Sequence, residues 1–250
     1  MKPALMLLAA TAILATTACN AEKSGTASNT ASNAPIKPVA APNGGDWTKM
    51  VTQTPEGGFL MGNPQADVKL IEYGSMTCPH CREFEEKGMK PLVDTYVKSG
   101  RVSFEFRNFV RDPYDLAASL IARCNGAKSF FPLTRAIFED QPNWINKLQS
   151  VPPEQVQALQ NLGPNRQFLE LAKLAGFQEW AAARGVPAAK STQCLTNEAE
   201  VNRLVQMNSD ATSEHPDFQG TPSFVLNGEL LKQTAAWEAL EPKLREAVGS

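Results

Sequence analysis

Histidine is scarce in this 250-residue chain, and a surplus of positive charge is absent. The chain has two histidines, His80 and His215, and its 24 basic against 26 acidic side chains give a formal net charge of −2. Without a basic surplus there is no electrostatic footprint for nucleic acid, which excludes nucleic acid as a partner. Two histidines, and cysteines that lie far apart outside one closely spaced pair, also fall short of zinc-site spacing, so we expect no metal.

An apolar run long enough to span a bilayer comfortably is also missing from the N-terminus. Residues 4–18 are mostly apolar, but threonines interrupt them, and Lys2 is the one charged side chain before them. This pattern is typical of a secretory signal. We predict a signal peptide at residues 1–18.

The residues at the end of this signal resemble the cleavage box of bacterial lipoproteins. Thr17 and Ala18 are the small residues that precede the cysteine of that box, although Thr16 stands where leucine is usual. We therefore expect lipidation at Cys19, with ordinary cleavage near Ala18 or Ala21 as the alternative. Either route leaves four usable thiols, and an even count in an exported protein suggests two pairs.

A segment poor in large apolar residues follows the signal. Residues 20–46 are mostly Ala, Ser, Asn, Thr, Pro and Gly, with Ile36 and Val39 as the only larger aliphatic side chains. Such a composition buries too little surface to fold alone. We predict a disordered linker at residues 19–46, which leaves residues 47–250 for the folded part.

The folded part begins with an α/β pattern. Residues 68–75 form an apolar run typical of a buried strand, residues 79–99 have apolar positions at helical spacing, and residues 101–109 alternate between apolar and polar. A strand, a crossover helix and a second strand predict two parallel strands.

A long helical stretch interrupts this α/β pattern. Asp112 and Pro113 form a helix start, and further helices are predicted at residues 130–138, 153–162, 165–184 and 197–210. Strand character returns at residues 223–226, with Asn227 and Gly228 as the hairpin turn, residues 229–232 as the partner strand and a last helix at 234–248. We therefore assign residues 47–111 and 213–250 to one α/β domain and residues 112–212 to an inserted helical domain.

Cys78-Pro79-His80-Cys81 lies at the junction of the first strand and its helix. Cysteines at i and i+3 can close a small disulfide, and the unpaired N–H groups of a helix start stabilise a thiolate on the first of them. Pro79 suits the first helical turn, where a missing N–H costs nothing. His80 can add positive charge beside the thiolate. The pattern is typical of a redox-active dithiol.

Other interpretations of this dithiol fit less well. A haem-attachment site requires histidine directly after the second cysteine, and Arg82 stands there. A purely stabilising disulfide is disfavoured because so short a loop removes little chain entropy, and the strand-to-helix junction is exposed.

Three elements together resemble the DsbA-like branch of the thioredoxin superfamily. They are Cys-Pro-His-Cys at 78–81, Glu72 six residues before Cys78, and Gly220-Thr221-Pro222 ahead of the returning strand. The resemblance covers about residues 60–248. It implies an α/β, thioredoxin-like fold with an inserted all-helical domain.

The resemblance also implies roles for the site residues. Cys78, reachable by solvent, would form mixed disulfides that Cys81 resolves, while His80 stabilises the Cys78 thiolate. Glu72 would be a buried carboxyl that relays the proton of Cys81. Its alternative is an ordinary exposed strand carboxylate. Pro222 would be preceded by a cis bond, placing the Thr221 backbone where an extended substrate segment can pair with it.

Cys124 and Cys194 both fall in the helical part, and the resemblance implies that they form a second disulfide. It further implies a monomeric periplasmic protein that needs no cofactor beyond the Cys78–Cys81 disulfide, and the lipoprotein box adds the expectation of a membrane tether through the lipid at Cys19. Its expected partners are unfolded or reduced exported proteins and a membrane redox partner of the DsbB type.

Two alternatives to disulfide donation stay open. One is a reductase or isomerase of the same fold, with which Thr221 before the proline is compatible. The other is a lipid-anchored binding or chaperone module whose cysteines are structural, which an inert Cys78 would favour.

Overall fold

A computed structural model describes residues 35–249 of the chain. The expected signal peptide at residues 1–18, the expected lipidation site Cys19 and the first part of the expected linker lie outside the described residues and stay predictions. In the part of the chain that is described, no helix combines the length and the apolar character that crossing a membrane requires.

Six strands form one mixed sheet. They are β1 (Val51–Gln53), β2 (Phe59–Gly62), β3 (Val68–Gly74), β4 (Val102–Asn108), β5 (Ser223–Leu226) and β6 (Glu229–Leu230), in the order β1-β2-β4-β3-β5-β6. Strands β3 and β4 pair in parallel, with Val68 opposite Val102, and every other neighbouring pair is antiparallel. The predicted parallel pair and the predicted C-terminal hairpin are confirmed.

The crossover between β3 and β4 is broken, although the sequence predicts one helix over residues 79–99. It consists of α1 (Pro79–Lys87), α2 (Met89–Pro91) and a π-helical segment (Leu92–Val97). Gly88 marks the break, and a Cβ atom there would lie 2.6 Å from the ring of the buried Phe84. Pro91 has no N–H to donate, and the segment after it ends with a π-type hydrogen bond from the Lys98 N–H to the carbonyl oxygen of Val93 at 2.9 Å.

Eight helices lie between β4 and β5 in the described chain. They are α3 (Pro113–Arg123), α4 (Ala127–Glu139), α5 (Gln141–Gln149), α6 (Pro153–Gln160), α7 (Pro164–Leu174), α8 (Phe177–Ala182), α9 (Ala188–Leu195) and α10 (Glu198–Glu214). Asp112 caps α3 as predicted, since its carboxylate accepts from the backbone N–H groups of Tyr114 and Asp115 at 2.9 Å each. The last helix, α11 (Trp237–Ala247), begins three residues later than predicted.

The sheet and the inserted helices share one hydrophobic core. Phe59 of β2 stacks on Phe130 of α4 with ring centroids 4.0 Å apart, and Phe104 and Phe106 of β4 contact the aromatic rings of α4. The fold is therefore a thioredoxin-like α/β sheet with a helical insertion packed against it. The predicted fold class is confirmed. The expected division into residues 47–111 with 213–250 and residues 112–212 stays a prediction.

The described end of the expected linker packs against this body. The Val39 N–H donates to the carbonyl oxygen of Ser99 at 2.7 Å, and the buried Trp47 indole donates to the carbonyl oxygen of Val39 at 2.9 Å. Gly100, at φ +72°, makes room for this contact, because a Cβ atom there would collide with the Trp47 ring. The expectation that the disordered linker reaches residue 46 is therefore corrected, because Val39 is already hydrogen-bonded to the folded body.

Candidate active site

The dithiol loop is set by the end of β3 and the start of α1. Cys78 is the N-cap of α1, with extended backbone angles of φ −82° and ψ 122°, and Pro79 occupies the first helical position. The Arg82 N–H closes the first turn by donating to the carbonyl oxygen of Cys78 at 3.2 Å. This geometry leaves the N–H groups of the first turn pointing toward the Cys78 sulfur.

Both dithiol cysteines are free thiols in this structure, and both are buried. Cys78 is 1% exposed and Cys81 is 0% exposed. We expected Cys78 to be open to solvent, and the structure corrects this. The segment around Thr221 lies over Cys78, whose thiol donates to the carbonyl oxygen of Thr221 at 3.1 Å.

The surroundings of Cys78 favour its thiolate. A hydrogen bond from the Cys81 thiol is the largest cause that lowers the pKa of Cys78, and it overcomes the opposing effect of burial. The Thr221 side chain and the backbone N–H groups of His80 and Cys81 lower it further, so that the pKa of Cys78 falls to about 5. At neutral pH the first cysteine is a thiolate.

Cys81 has the opposite character. Burial raises its pKa well above the ordinary thiol value, and its hydrogen bond to Cys78 and the nearby Glu72 carboxyl add to the rise. The N–H of Ser75, which donates to the Cys81 sulfur at 3.4 Å, works against that rise. The second cysteine therefore stays protonated while the first is ionised.

The imidazole of His80 points away from the dithiol. Its side chain is 72% exposed, and Nδ1 lies 3.7 Å from the carboxylate of Glu83. Of the groups of His80, it is the backbone N–H, not the imidazole, that lowers the pKa of Cys78. We expected the His80 side chain to stabilise the thiolate, and the structure corrects this: the stabilising group is the backbone N–H of His80.

Glu72 lies on β3, and it is 2% exposed rather than an ordinary surface carboxylate. It is paired with Phe106 on one neighbouring strand and Phe224 on the other. Burial raises its pKa well above the usual range, and the negative charges of Glu85 and Cys78 raise it further. Close to Cys78 and Cys81, the chain thus holds a carboxyl group that keeps its proton to a higher pH than an ordinary glutamate does.

The segment before β5 completes the site. The Thr221–Pro222 peptide bond is cis, and Gly220 before it has φ +141°. Thr221 and Pro222 line a groove of about 810 Å³ that continues along β6 to an ion pair between Asp217 and Lys232, whose charged atoms are 2.7 Å apart. The structure thus brings Cys78, Cys81 and Glu72 together in a buried cluster, and Thr221, which contacts Cys78, lines the groove together with Pro222.

A family sequence model described as thioredoxin matches residues 54–245 of the chain. The chain belongs to the thioredoxin family. The crystal structure of a protein-disulfide isomerase from Novosphingobium aromaticivorans matches this thioredoxin-family chain with 34% identity and a TM-score of 0.73, covering 76% of this chain and 97% of that one.

More distant matches agree in fold. The crystal structure of Wolbachia pipientis alpha-DsbA1 matches with 20% identity and a TM-score of 0.62, covering 79% of this chain and 94% of that chain. The DsbA-like resemblance is therefore confirmed for the fold. A provisionally named protein-disulfide oxidoreductase of Rickettsia prowazekii is 27% identical over 184 residues. This match covers 72% of the thioredoxin-family chain and 58% of the Rickettsia protein, which is under two thirds of that relative's length.

The structure adds site residues that the sequence interpretation missed. Asp115, in the first turn of α3, is fully buried and accepts hydrogen bonds from Ser75 and from the backbone of Met76. Gln141, at the start of α5, donates to the carbonyl oxygens of Met76 and Cys78. An acidic residue in the first turn of a helix is ordinary in sequence, so only the long-range contact reveals its place in the site.

Cys124 and Cys194 lie away from this groove. They are joined by a disulfide whose Cα atoms are 5.5 Å apart, and the bond links the end of α3 to α9. Residues 35–249 contain no group of three or more His, Cys, Asp or Glu side chains that could hold a metal ion.

Proposed function

We propose that the protein is a thiol:disulfide oxidoreductase that exchanges disulfides with cysteines of other proteins. The observation that carries this proposal is the contrast between the two neighbouring thiols. The pKa of Cys78 is lowered to about 5, whereas that of Cys81 is raised well above its ordinary value. One thiolate beside one protonated thiol suits a pair in which the first cysteine attacks and the second resolves.

The proposed reaction starts from a Cys78–Cys81 disulfide. A substrate thiolate attacks the Cys78 sulfur, the Cys78–Cys81 bond breaks, and Cys81 leaves as a thiolate that takes up a proton. A second substrate thiolate then attacks the substrate sulfur of this mixed disulfide and releases Cys78 as a thiolate. The substrate gains a disulfide, and two electrons pass to the dithiol. We propose that Glu72, whose charge raises the pKa of Cys81, exchanges the proton of Cys81.

The low pKa of Cys78 also favours one direction of electron flow. A depressed pKa stabilises the reduced form by about 1.36 kcal/mol for each unit of difference, and a stabilised reduced form makes the disulfide a stronger oxidant. We therefore propose that the protein donates disulfides. Reoxidation would require a membrane redox partner of the DsbB type.

The proposed substrates are unfolded or reduced exported proteins. The groove is lined by Gly220, Thr221 and Pro222, and we propose that an extended peptide pairs with the backbone of this segment. Export by the expected signal at residues 1–18, tethering at Cys19, a periplasmic location and a monomeric state complete the proposal.

A reductase or isomerase of the same fold is the second candidate. It is favoured by the name of the Novosphingobium relative, protein-disulfide isomerase. The reduction potential of the dithiol, measured against glutathione, distinguishes the two, because oxidase and reductase roles fall on opposite sides of the compartment's poise. The low pKa of Cys78 argues against a binding or chaperone module with inert cysteines.

Single-cysteine variants test the proposed roles on a reduced model substrate. Cys78→Ser is expected to lose all disulfide donation. With an oxidised substrate, Cys81→Ser is expected to accumulate mixed disulfides, because the Cys78 thiolate opens the substrate disulfide and no Cys81 thiol remains to attack the Cys78 sulfur and release the substrate. The Cys124→Ser/Cys194→Ser double variant is the matched control and is expected to keep donation. Equal trapping by both single variants would contradict the assignment.

A further inference from the structure

Asp115 is a second buried carboxyl group of the site, separate from Glu72. It is 0% exposed, although it lies only three residues after the cap of α3. One carboxylate oxygen accepts from the Met76 N–H at 2.8 Å, and the other accepts from the Ser75 hydroxyl at 2.5 Å. Both donors belong to the loop that carries the dithiol.

The carboxyl group has further partners within its own segment. Its oxygens accept from the Arg111 N–H at 3.0 Å and face the Ser119 hydroxyl at 3.4 Å. Burial raises the pKa of Asp115 to about 7, and the hydrogen bonds from Ser75, Arg111 and Met76 oppose that rise. A buried carboxylate is costly to the fold unless its hydrogen bonds are complete. Here two of its four partners in the described chain, Ser75 and Met76, belong to the dithiol loop.

These contacts reach the sulfur of Cys81 through Ser75. The hydroxyl of Ser75 bonds to Asp115, while its backbone N–H donates to the Cys81 sulfur at 3.4 Å. Gln141 holds the other side of the same loop, with its amide donating to the carbonyl oxygens of Met76 at 2.8 Å and Cys78 at 3.0 Å. Two side chains from the helical insertion therefore fix the backbone next to Cys81.

We propose that Asp115 is a positioning residue for the exchange step in which Cys81 carries negative charge. It holds Ser75 and Met76 so that the Ser75 N–H stays directed at the Cys81 sulfur. That N–H stabilises the Cys81 thiolate both when it attacks the mixed disulfide and when it leaves the Cys78–Cys81 disulfide. In both steps the Cys81 sulfur carries negative charge. This inference rests on the proposed exchange chemistry.

Glutathione allows the Cys81 step to be followed alone. In the reduced protein the Cys78 thiolate attacks oxidised glutathione, which forms a Cys78–glutathione disulfide and releases one glutathione thiolate. The Cys81 thiolate then attacks the Cys78 sulfur, the Cys78–Cys81 bond forms, and the second glutathione leaves as a thiolate. The two steps differ in which cysteine attacks, so their rates separate the two roles.

The experiment mixes reduced protein with oxidised glutathione, quenches with acid after short times, and quantifies the mixed disulfide by mass spectrometry. In Asp115→Ala we expect ring closure by Cys81 to slow by about tenfold, the rate equivalent of one lost hydrogen bond. We expect the first step, attack by Cys78, to stay within about twofold of the wild-type rate. The mixed disulfide therefore accumulates.

Two milder variants keep the test decisive if Asp115→Ala does not fold. Asp115→Asn has the same shape and can still accept from the Met76 N–H. Its ring closure is therefore expected to be faster than that of Asp115→Ala and slower than that of wild type. Ser75→Ala removes only the hydroxyl contact and is expected to slow ring closure as well. Glu105→Gln makes the same change of carboxylate to amide at a buried position of β4 that pairs with Arg107, and it is expected to leave both rates unchanged.

The outcomes separate this inference from the proposed function. Unchanged ring closure in both Asp115→Asn and Ser75→Ala would overturn the positioning role, and so would equal slowing of both steps. Wild-type protein that forms neither a mixed disulfide at Cys78 nor the Cys78–Cys81 disulfide would instead overturn the exchange chemistry itself.

Discussion

The sulfur of Cys78 lies 3.1 Å from the carbonyl oxygen of Thr221, although 143 residues separate the two in sequence. The contact places the segment before β5 directly over the dithiol and leaves Cys78 buried. A substrate that reaches this sulfur must therefore pair with or displace the Thr221 segment. The same segment can then influence both the charge of Cys78 and the binding of its partner.

The Thr221 hydroxyl is expected to support the Cys78 thiolate. Its oxygen is buried and has no hydrogen-bond partner among the described residues, so it is available to donate to an ionised Cys78 sulfur, and the Thr221 side chain lowers the pKa of Cys78. Thr221→Val keeps the shape and removes the hydroxyl. We expect the pKa of Cys78 to rise by about one unit, the size of one hydrogen bond to a charged group. Ultraviolet absorbance of the thiolate, titrated against pH, measures this rise.

Thr134 provides the matched control for this substitution. It is also a buried threonine whose hydroxyl has no hydrogen-bond partner among the described residues, but it belongs to α4. Thr134→Val is expected to leave the titration of Cys78 unchanged. A Thr221→Val protein whose titration matches that of wild type would show that the hydroxyl plays no part.

The imidazole of His80 is expected to matter less than its position in the motif indicates. The ring lies 3.7 Å from Glu83 in an exposed setting, and the backbone N–H of His80 acts on Cys78. His80→Ala keeps that N–H. It should therefore raise the pKa of Cys78 by much less than Thr221→Val does, in the same absorbance titration. A larger rise in His80→Ala than in Thr221→Val would return the role to the imidazole.

Local sequence patterns were sufficient to predict most of the elements that hold the dithiol. The apolar run that forms β3 and the alternation that forms β4 predicted a parallel pair, and Asn227 and Gly228 predicted the turn between β5 and β6. Each of these signals lies within a few residues. Because side-chain periodicity is local, a single sequence is enough to detect it.

Local patterns do not show features that depend on distant contacts, and the distant contacts that were predicted, such as the Cys124–Cys194 disulfide and Thr221 beside the dithiol, came from the family resemblance. Strands β1 and β2 are only three and four residues long, which is too short for a period to stand out. The burial of Cys78 depends on Thr221, and the role of Asp115 depends on Ser75. Neither pairing leaves a trace in the local pattern of either partner. Helix α5 was missed for the same reason. Its first residue, Gln141, is buried because it binds the carbonyl oxygens of Met76 and Cys78, and these partners are more than 60 residues away in sequence.

Asp115 is expected to make the stability of the protein depend on pH. Its pKa is about 7 in the folded protein against 3.8 for an ordinary aspartate. Between these values the folded state keeps a proton that the unfolded chain has released, so stability falls as the pH rises from about 4 to about 7. Asp115→Asn should flatten this fall. The free energy of unfolding in urea, measured across this pH range, tests the prediction.

The two dithiol cysteines must be replaced for that measurement, because the lowered pKa of Cys78 makes stability rise with pH, opposite to the effect of Asp115. The pKa of Cys78 is lowered to about 5 in the folded state, so Cys78 contributes stability at high pH that is lost as the pH falls through about 5. A Cys78→Ser/Cys81→Ser background removes this contribution. Glu72, whose pKa is also raised, is common to both proteins being compared. Equal slopes with and without Asp115 would contradict the shifted pKa.

The Cys124–Cys194 disulfide is expected to stabilise the helical part without affecting exchange. It joins residues 70 apart in sequence, and closing a loop of this length removes chain entropy worth roughly 4 kcal/mol at most. That is a large share of the stability of an ordinary domain. The Cys124→Ser/Cys194→Ser variant should unfold at a clearly lower urea concentration than wild type.

The dithiol is expected to behave normally in this double variant. The disulfide links the end of α3 to α9, whereas Asp112 and Asp115, which hold the dithiol loop, lie at the start of α3. The pKa of Cys78 and the rate of its attack on oxidised glutathione should therefore match those of wild type. If the urea midpoint did not change, the disulfide would contribute nothing to stability. If the pKa of Cys78 rose together with a lower midpoint, α3 would transmit the loss along its whole length to the dithiol loop, and the two ends of the helix could no longer be treated as independent.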